Sequence, residues 1–359
     1  MTDLRLGTTT STGGEPSTGL GPIDSPCATR RLRAMGTDVE IVVVGPAADR
    51  LAHDAVDRLA RLEQMWSRFL PNSDVSRLNR AGGAPVTVDG DTVRLVRAAV
   101  EAWTESGGFV DCTGLADVIA NGYDRSFDEI PADRSASAPS SAASAARSPL
   151  GSGPVEIEVD GLMVTVPADV QFDPGGIGKG LAADLIADEL AAAGAEACCV
   201  NLGGDLRVVG DAPGGAGWTV AIEHRDATDP LSLVGVRNGA VATSTTLLRR
   251  WNVDGVARHH LIDPRTGRSS DSGIALVSVI AERAVVAEAL AKTVLIRGGA
   301  HPFDPVDRPG VEALIAFDDG RLAWTDGWLR YSGGVTPVLV GAAPASADPE
   351  RSTPRKDPS

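Results

Sequence analysis

From Thr37 to Gly45 the chain reads TDVEIVVVG, an apolar-rich run with the β-branched content of a strand. The period then changes. HDAVDRLARLEQMWSRF (53–69) repeats its apolar positions at Val56, Leu59, Leu62 and Trp66, and DTVRLVRAAVEAWTESGG (91–108) does so at Val93, Val96, Val100 and Trp103. Spacing of three and four predicts two amphipathic helices, the second stopped by its glycines. VEIEVDGLMVTV places Asp160-Gly161 between two alternating runs, and Asn238-Gly239 and Asp319-Gly320 repeat that hairpin chemistry. LAADLIADELAAAG (181–194) predicts another helix, closed by Gly194. ACCVNLGGDLRVVG and GWTVAIEH then read as strands joined by a glycine-rich turn. Helices mixed with antiparallel hairpins predict an α+β fold of mixed and antiparallel sheets with packed helices, not a doubly wound parallel sheet.

Composition sets the limits of this scaffold. Residues 1–29 are rich in Gly, Ser, Thr and Pro and read as disordered, as does the tail 342–359, leaving one domain over 30–341. PADRSASAPSSAASAARSPLGSGP (131–154) reads as a flexible surface insertion in that domain. A net charge of -15 argues against a nucleic-acid surface. No apolar run reaches the roughly 18 residues a membrane span needs, so direct membrane insertion is not expected. The N-terminal stretch shows no apolar signal region, which makes a cytoplasmic location the expectation. Cys27, Cys112, Cys198 and Cys199 form no C-x-x-C pair and signal neither zinc nor a redox dithiol.

FDPGGIGKGLAAD (172–184) sets four glycines and a lysine ahead of a helix, a place where bare N–H groups approach an anion. The P-loop pattern fails, because Asp173 stands where a glycine is needed and Gly180 where a hydroxyl is needed. The dinucleotide fingerprint can be laid on Gly178, Gly180 and Ala183, a short match that leaves a Rossmann-type dehydrogenase as a third reading. NLGGD (201–205), HHLIDPRTG (259–267) and AVATSTTLLRRW (240–251) are further polar stretches. Each alone is ordinary turn punctuation or exposed charge.

Together, and in this order, they resemble the FAD:protein FMN transferase family, the ApbE-like proteins. The resemblance rests on Met35-Gly36-Thr37, SDVSRLN (73–79), FVDCTGL and GYDRSF within 109–127, DPGGIGKG (173–180), NLGGD, VATS (241–244) and HLIDPRTG (260–267). It implies a T-fold-related architecture and a reaction that cleaves FAD, releases AMP and attaches FMN to a threonine or serine hydroxyl of a target flavoprotein. It implies His260 as general base, with Asp263 orienting that loop or serving only as its Asp-Pro turn. Met35, Asp173, Gly175, Gly176, Lys179, Asn201, Gly203, Gly204, Asp205, Thr243, Ser244 and Arg250 are implied around the FAD. His259 reads more simply as a neighbour outside the site, and Trp66, Trp103 and Trp251 as core.

The implied magnesium site combines the backbone of Gly178 with an Asp and a Thr four residues later on a helix. Here Glu288 replaces the aspartate and Lys292 the threonine. An ammonium has no lone pair for a metal, so magnesium is left open. In one reading Lys292 joins the catalytic set, standing where metal charge would be, with Arg249, Arg250 or Lys179 assisting. In the other, Glu288 and Lys292 are an i,i+4 pair on a solvated helix face. The protein would then be an FAD-binding or FAD-storing relative without transfer activity.

Overall fold

The computed structural model describes residues 25–134 and 153–340. Strands β1 (Cys27–Ala34) and β2 (Thr37–Val44) form a hairpin whose two turn residues, Met35 at φ 49° and Gly36 at φ 69°, are both left-handed. That two-residue turn matches the twist of the strands it joins. Six further strands complete one antiparallel sheet: β3 (Ala197–Leu202), β4 (Asp205–Val209), β5 (Gly239–Thr245), β6 (Ile274–Ala281), β7 (Glu312–Phe317) and β8 (Leu322–Trp324). Spatial order in this sheet follows chain order from β1 to β8.

The connections carry the helices. Between β2 and β3 lie α1 (Ala48–Trp66), α2 (Asp74–Arg80), α3 (Gly90–Glu105), α4 (Leu115–Ala120) and α5 (Gly178–Ala192); α6 (Ala284–Arg297) links β6 to β7. Alternate strand residues separate two cores, as the strand period requires. Ile41, Val43, Val200 and Val279 pack with Leu59, Leu62, Ile186 and Val294 of the helices. Val42, Val44, Cys199 and Leu206 face the small hairpin Trp218–Ile222/Ser232–Val236 and Trp328. Layers on both faces explain why β6 is buried at every position. Among the described residues no helix is long and apolar enough to cross a membrane.

Helices α5 and α6 come close at Gly180, where a Cβ would lie 2.5 Å from the Ala284 carbonyl oxygen. Four residues on, the buried carboxylate of Asp184 accepts from the Ala284 and Val285 N–H groups at 2.8 and 3.1 Å. It caps α6 from a neighbouring helix, since Arg283 at the cap position makes no such bond. Burial raises the Asp184 pKa, while the two N–H groups and nearby arginines act against that rise.

Several sequence expectations change. Strand β1 begins at Cys27, inside the stretch assigned to the N-terminal tail. Most of the insertion lies outside the described residues, but its flanks carry Asp133–Arg134 paired with Arg250–Val253 and a short turn of helix at Gly153–Glu156. The Asp319-Gly320 hairpin forms, and so does the one at Asp160-Gly161, with its two turn residues moved on to Gly161-Leu162 because Asp160 pairs with Met163. Asn238-Gly239 does not turn between paired strands: Ser232–Val236 pairs with Trp218–Ile222, whereas β5 pairs with β4 and β6. ACCVNLGGDLRVVG is itself a hairpin, and GWTVAIEH belongs to the other layer.

Gly180→Ala forces its methyl against backbone that cannot rotate away. Overpacking of this kind costs about 1–3 kcal/mol. The unfolding free energy of the variant is expected to fall by that amount, read as a lower denaturant midpoint at an unchanged slope.

Candidate active site

A cleft of about 790 Å³ opens on the helical side and takes its wall from residues far apart in sequence, among them Met35, Arg68, Asp173, Lys179, His260 and Lys292. Met35 reaches it because the β1–β2 turn ends at the rim, and the Glu63 carboxylate accepts from its N–H at 2.6 Å. Asn79, the last residue of the SDVSRLN stretch, holds both backbone groups of Phe172 at 2.7 and 2.9 Å. That anchor sets the DPGG turn, in which Asp173 accepts from Gly175 N–H at 2.9 Å before α5 begins at Gly178. Arg68 lies 3.4 Å from Asp173.

Four ionic side chains meet at the base of α5 and α6. Glu288, fully buried, accepts at Oε1 from Lys179 Nζ at 2.6 Å and from Lys292 Nζ at 2.8 Å, and at Oε2 from Gly180 N–H at 2.8 Å. Lys179 Nζ also lies 2.6 Å from Asp205 Oδ2. Burial opposes charge on Glu288, but the two ammonium groups hold its pKa at about 2. Burial likewise opposes charge on Lys179, and Asp205 with Glu288 overcomes it and lifts the pKa. Lys292 is lowered, first by burial, with Glu288 opposing and Lys179 assisting. Asp205 is raised by burial, against the pull of Lys179.

Three buried polar atoms at or beside the cleft have no hydrogen-bond partner: His260 Nδ1, Trp66 Nε1 and Asp205 Oδ1. His260 is pushed well below its ordinary pKa by burial and then by Arg249, Lys292, His259 and Lys179, so its ring is neutral at pH 7. Phe69, Tyr123 and Phe127 line an aromatic side of the cleft, with Arg68 stacked 4.2 Å from the Phe69 ring centre. Flat aromatic faces suit a planar heteroaromatic ligand.

The structure sorts the residues expected from sequence. Met35, Asp173, Gly175, Gly176, Gly178, Lys179, His260 and Lys292 all line the cleft. Asn201, Gly203 and Gly204 stand outside that lining and form the β3–β4 turn: Asn201 accepts from Gly204 N–H at 2.9 Å. Gly203, at φ 66°, leaves no room for a Cβ beside Thr37. Their effect is to set Asp205 against Lys179. Thr243 and Ser244 are likewise outside the lining, Thr243 bonding Ser278 at 3.0 Å across β5 and β6. Arg250 is exposed in its strand, and Arg249 lines the cleft instead, its guanidinium bonding the Gly36 carbonyl at 3.0 Å. Asp263 closes the Asp-Pro turn and pairs with Arg265 at 2.8 Å. His259 is buried and holds the Ser270 carbonyl at 2.9 Å. Trp251 is core, but Trp66 lines the cleft while packing in the core. Arg68 was missed: an arginine near a helix end gives no signal until Asp173 is placed beside it.

The donor set does not fit magnesium. Both Glu288 oxygens are engaged by nitrogen donors, and Lys292 offers no ligand atom. Asp205 Oδ1, the carboxylate oxygen of the cluster without a partner, is itself buried, which leaves the cluster no exposed carboxylate to join the waters and phosphates that complete magnesium's octahedron. Among the described residues no group of three or more His, Cys, Asp and Glu side chains is placed to hold a metal.

Glu288→Gln removes the one negative charge shared by two buried ammonium groups, a loss of about 3–5 kcal/mol for a broken buried pair. With its pKa at about 2 in the fold against 4.5 otherwise, the carboxylate stabilises fully above pH 4.5. That contribution drains away as pH falls toward 2. The stability gap between wild type and variant, read from denaturant midpoints, is therefore expected to stay flat down to about pH 4.5 and to narrow below it.

A family profile described as the ApbE family matches residues 35–315. The chain is 31% identical over 295 residues to the FAD:protein FMN transferase of Treponema pallidum, covering 77% of this chain and 80% of that protein. It is 28% identical over 297 residues to the FAD:protein FMN transferase of Vibrio cholerae serotype O1, covering 80% and 86%. The crystal structure of the ApbE protein from Thermotoga maritima superposes with a TM-score of 0.74 at 27% identity, over 86% of this chain and 99% of the other. The apo flavinyl transferase ApbE of Pseudomonas stutzeri does so at 0.73 and 24% identity, over 88% and 99%, a likeness of fold. With the profile spanning the cleft from Met35 to Lys292, this chain belongs to the ApbE family.

Proposed function

We propose that the protein transfers FMN from FAD to a serine or threonine hydroxyl of a target flavoprotein and releases AMP. The observation that carries this reading is His260, a neutral imidazole that lines the cleft together with Lys179 and Lys292 and whose buried Nδ1 has no protein partner. A base, cations and an aromatic wall are what pyrophosphate cleavage by a hydroxyl requires. The names of the Treponema and Vibrio relatives support the same reaction.

In this reaction the acceptor oxygen forms a bond to the FMN phosphorus of FAD. The bond from that phosphorus to the bridging oxygen breaks, and the bridging oxygen leaves with AMP. His260 takes the hydroxyl proton at a ring nitrogen as the new bond forms. Lys179, Lys292 and Arg249 face the charge on the non-bridging oxygens. Met35 and the aromatic side hold the planar rings, which orients the phosphorus toward the incoming oxygen.

The low pKa of His260 has a cause that the substrate removes. Arg249, Lys292 and Lys179 contribute to it, and the anionic pyrophosphate cancels part of their field. Base strength therefore rises when FAD binds. The acid limb of kcat/KM, which reports the free enzyme, is expected to lie below the ordinary histidine value of 6.5, and the limb of kcat at higher pH. Coincident limbs would remove His260 from the proton transfer.

The direct test is intact-mass spectrometry of an acceptor flavoprotein incubated with the enzyme and FAD. A gain equal to one FMN, with AMP released, is expected. His260→Ala is expected to lower kcat by about 10²–10⁴-fold with FAD binding retained. No gain, on an acceptor that another transferase labels, would favour the FAD-binding reading.

A further inference from the structure

We propose that this protein binds the pyrophosphate and transfers FMN without a divalent metal, the Lys292 ammonium supplying the positive charge from within α6. The inference rests on the transferase reading and concerns how that site is charged.

The geometry is specific. Lys292 is 7% exposed, lines the cleft, and spends one N–H on Glu288 Oε1 at 2.8 Å. No other partner for it exists among the described residues, so two of its three donors are left for a ligand. A buried ammonium with spare donors is costly unless an anion completes it. Lys179, by contrast, is engaged by both Asp205 and Glu288 at 2.6 Å. Glu288 thus does not await a metal: it is the counter-ion that keeps Lys292 charged and fixes its nitrogen.

Charge balance gives the arrangement a second requirement. Two ammonium groups against Glu288 and Asp205 sum to zero, whereas a divalent ion in place of Lys292 would leave one positive charge. Arg249 supplies the difference: it lines the cleft and adopts φ 48°, a backbone state a non-glycine residue takes at a cost. Its guanidinium bonds a neutral carbonyl, Gly36 O at 3.0 Å, so its charge is not cancelled there.

Three measurements test the proposal. The first uses the wild-type protein with FAD and Mn²⁺, read by electron paramagnetic resonance of the free ion. The free-ion signal is expected to stay undiminished at protein concentrations that exceed the metal, and stoichiometric loss of it would overturn the proposal. The second is FAD affinity by fluorescence quenching in excess EDTA and in magnesium. Equal affinities are expected, and an affinity that needs magnesium would overturn it. The third compares Lys292→Met and Lys292→Thr. In EDTA both are expected to lose transfer by about 10²–10³-fold, the scale of one electrostatic contact to developing charge. Lys292→Thr, which restores a hydroxyl, is expected to regain part of the loss with magnesium, and Lys292→Met none. Wild-type transfer abolished by EDTA would sink the metal-free proposal and leave the transferase reading intact. Absent transfer in every condition would sink the transferase reading, and the Mn²⁺ and FAD-affinity results would then decide the charge assignment alone.

Discussion

The carboxylate of Glu288 is the contact on which the rest of the site depends. It has no exposure to solvent, yet it receives a backbone N–H from the first turn of α5, the lysine beside that turn and the lysine one turn further along its own helix. A carboxylate so placed is stable only while those three partners stay in position. It therefore fixes how α5 lies against α6, and Gly180 allows the approach that brings the partners within reach. Asp184 repeats the principle further along α5, with a buried carboxylate serving the open end of α6. Two acids that look out of place in apolar helices are thus the bolts between them.

The sheet itself takes little part in the chemistry. Asp205 is the strand residue that enters the ionic cluster, and it stands beside the β3–β4 turn. Met35 comes from a turn, Arg68 and Asp173 from the long excursion between β2 and β3, and Arg249 and His260 from the excursion between β5 and β6. An antiparallel sheet covered on both faces gives these connections fixed end points. Function then resides in the connections, in their loops and in helices α5 and α6, on a rigid frame.

What sequence made legible follows the range of the forces involved. The hairpin near Asp160-Gly161 and the helix that follows DPGG are decided by neighbours a few residues apart, and both form, the turn one residue later and the helix three residues earlier than expected. Assigning strands to layers is a long-range matter: nothing local tells that GWTVAIEH leaves the sheet that NLGGD helps to build. The same limit applies to the site. Glycine-bearing motifs marked its loops, but the motif alone does not separate residues that touch a ligand from those that shape a turn. Asn201, Gly203 and Gly204 visibly shape a turn, and that restraint is by itself a sufficient physical reason for their types. The choice between Arg249 and Arg250 turned on one left-handed residue, which no periodicity announces.

The order of strands, equal to the order of synthesis, has a consequence for how the protein comes into being on the ribosome. Strands β1 to β5 emerge first, and until β6 arrives the fifth strand presents an open edge made of residues that are mostly buried in the finished fold. Strand β6 closes that edge, and α6, which follows it directly, delivers Glu288 and Lys292 together. Cover for the β5 edge and possession of the ionic site are thus gained within one short stretch of translation, while β6 itself waits for β7. A chain interrupted before Ile274 would lack both the strand that covers β5 and the two ionic side chains of α6, so the covered edge and the charged site are present together or absent together.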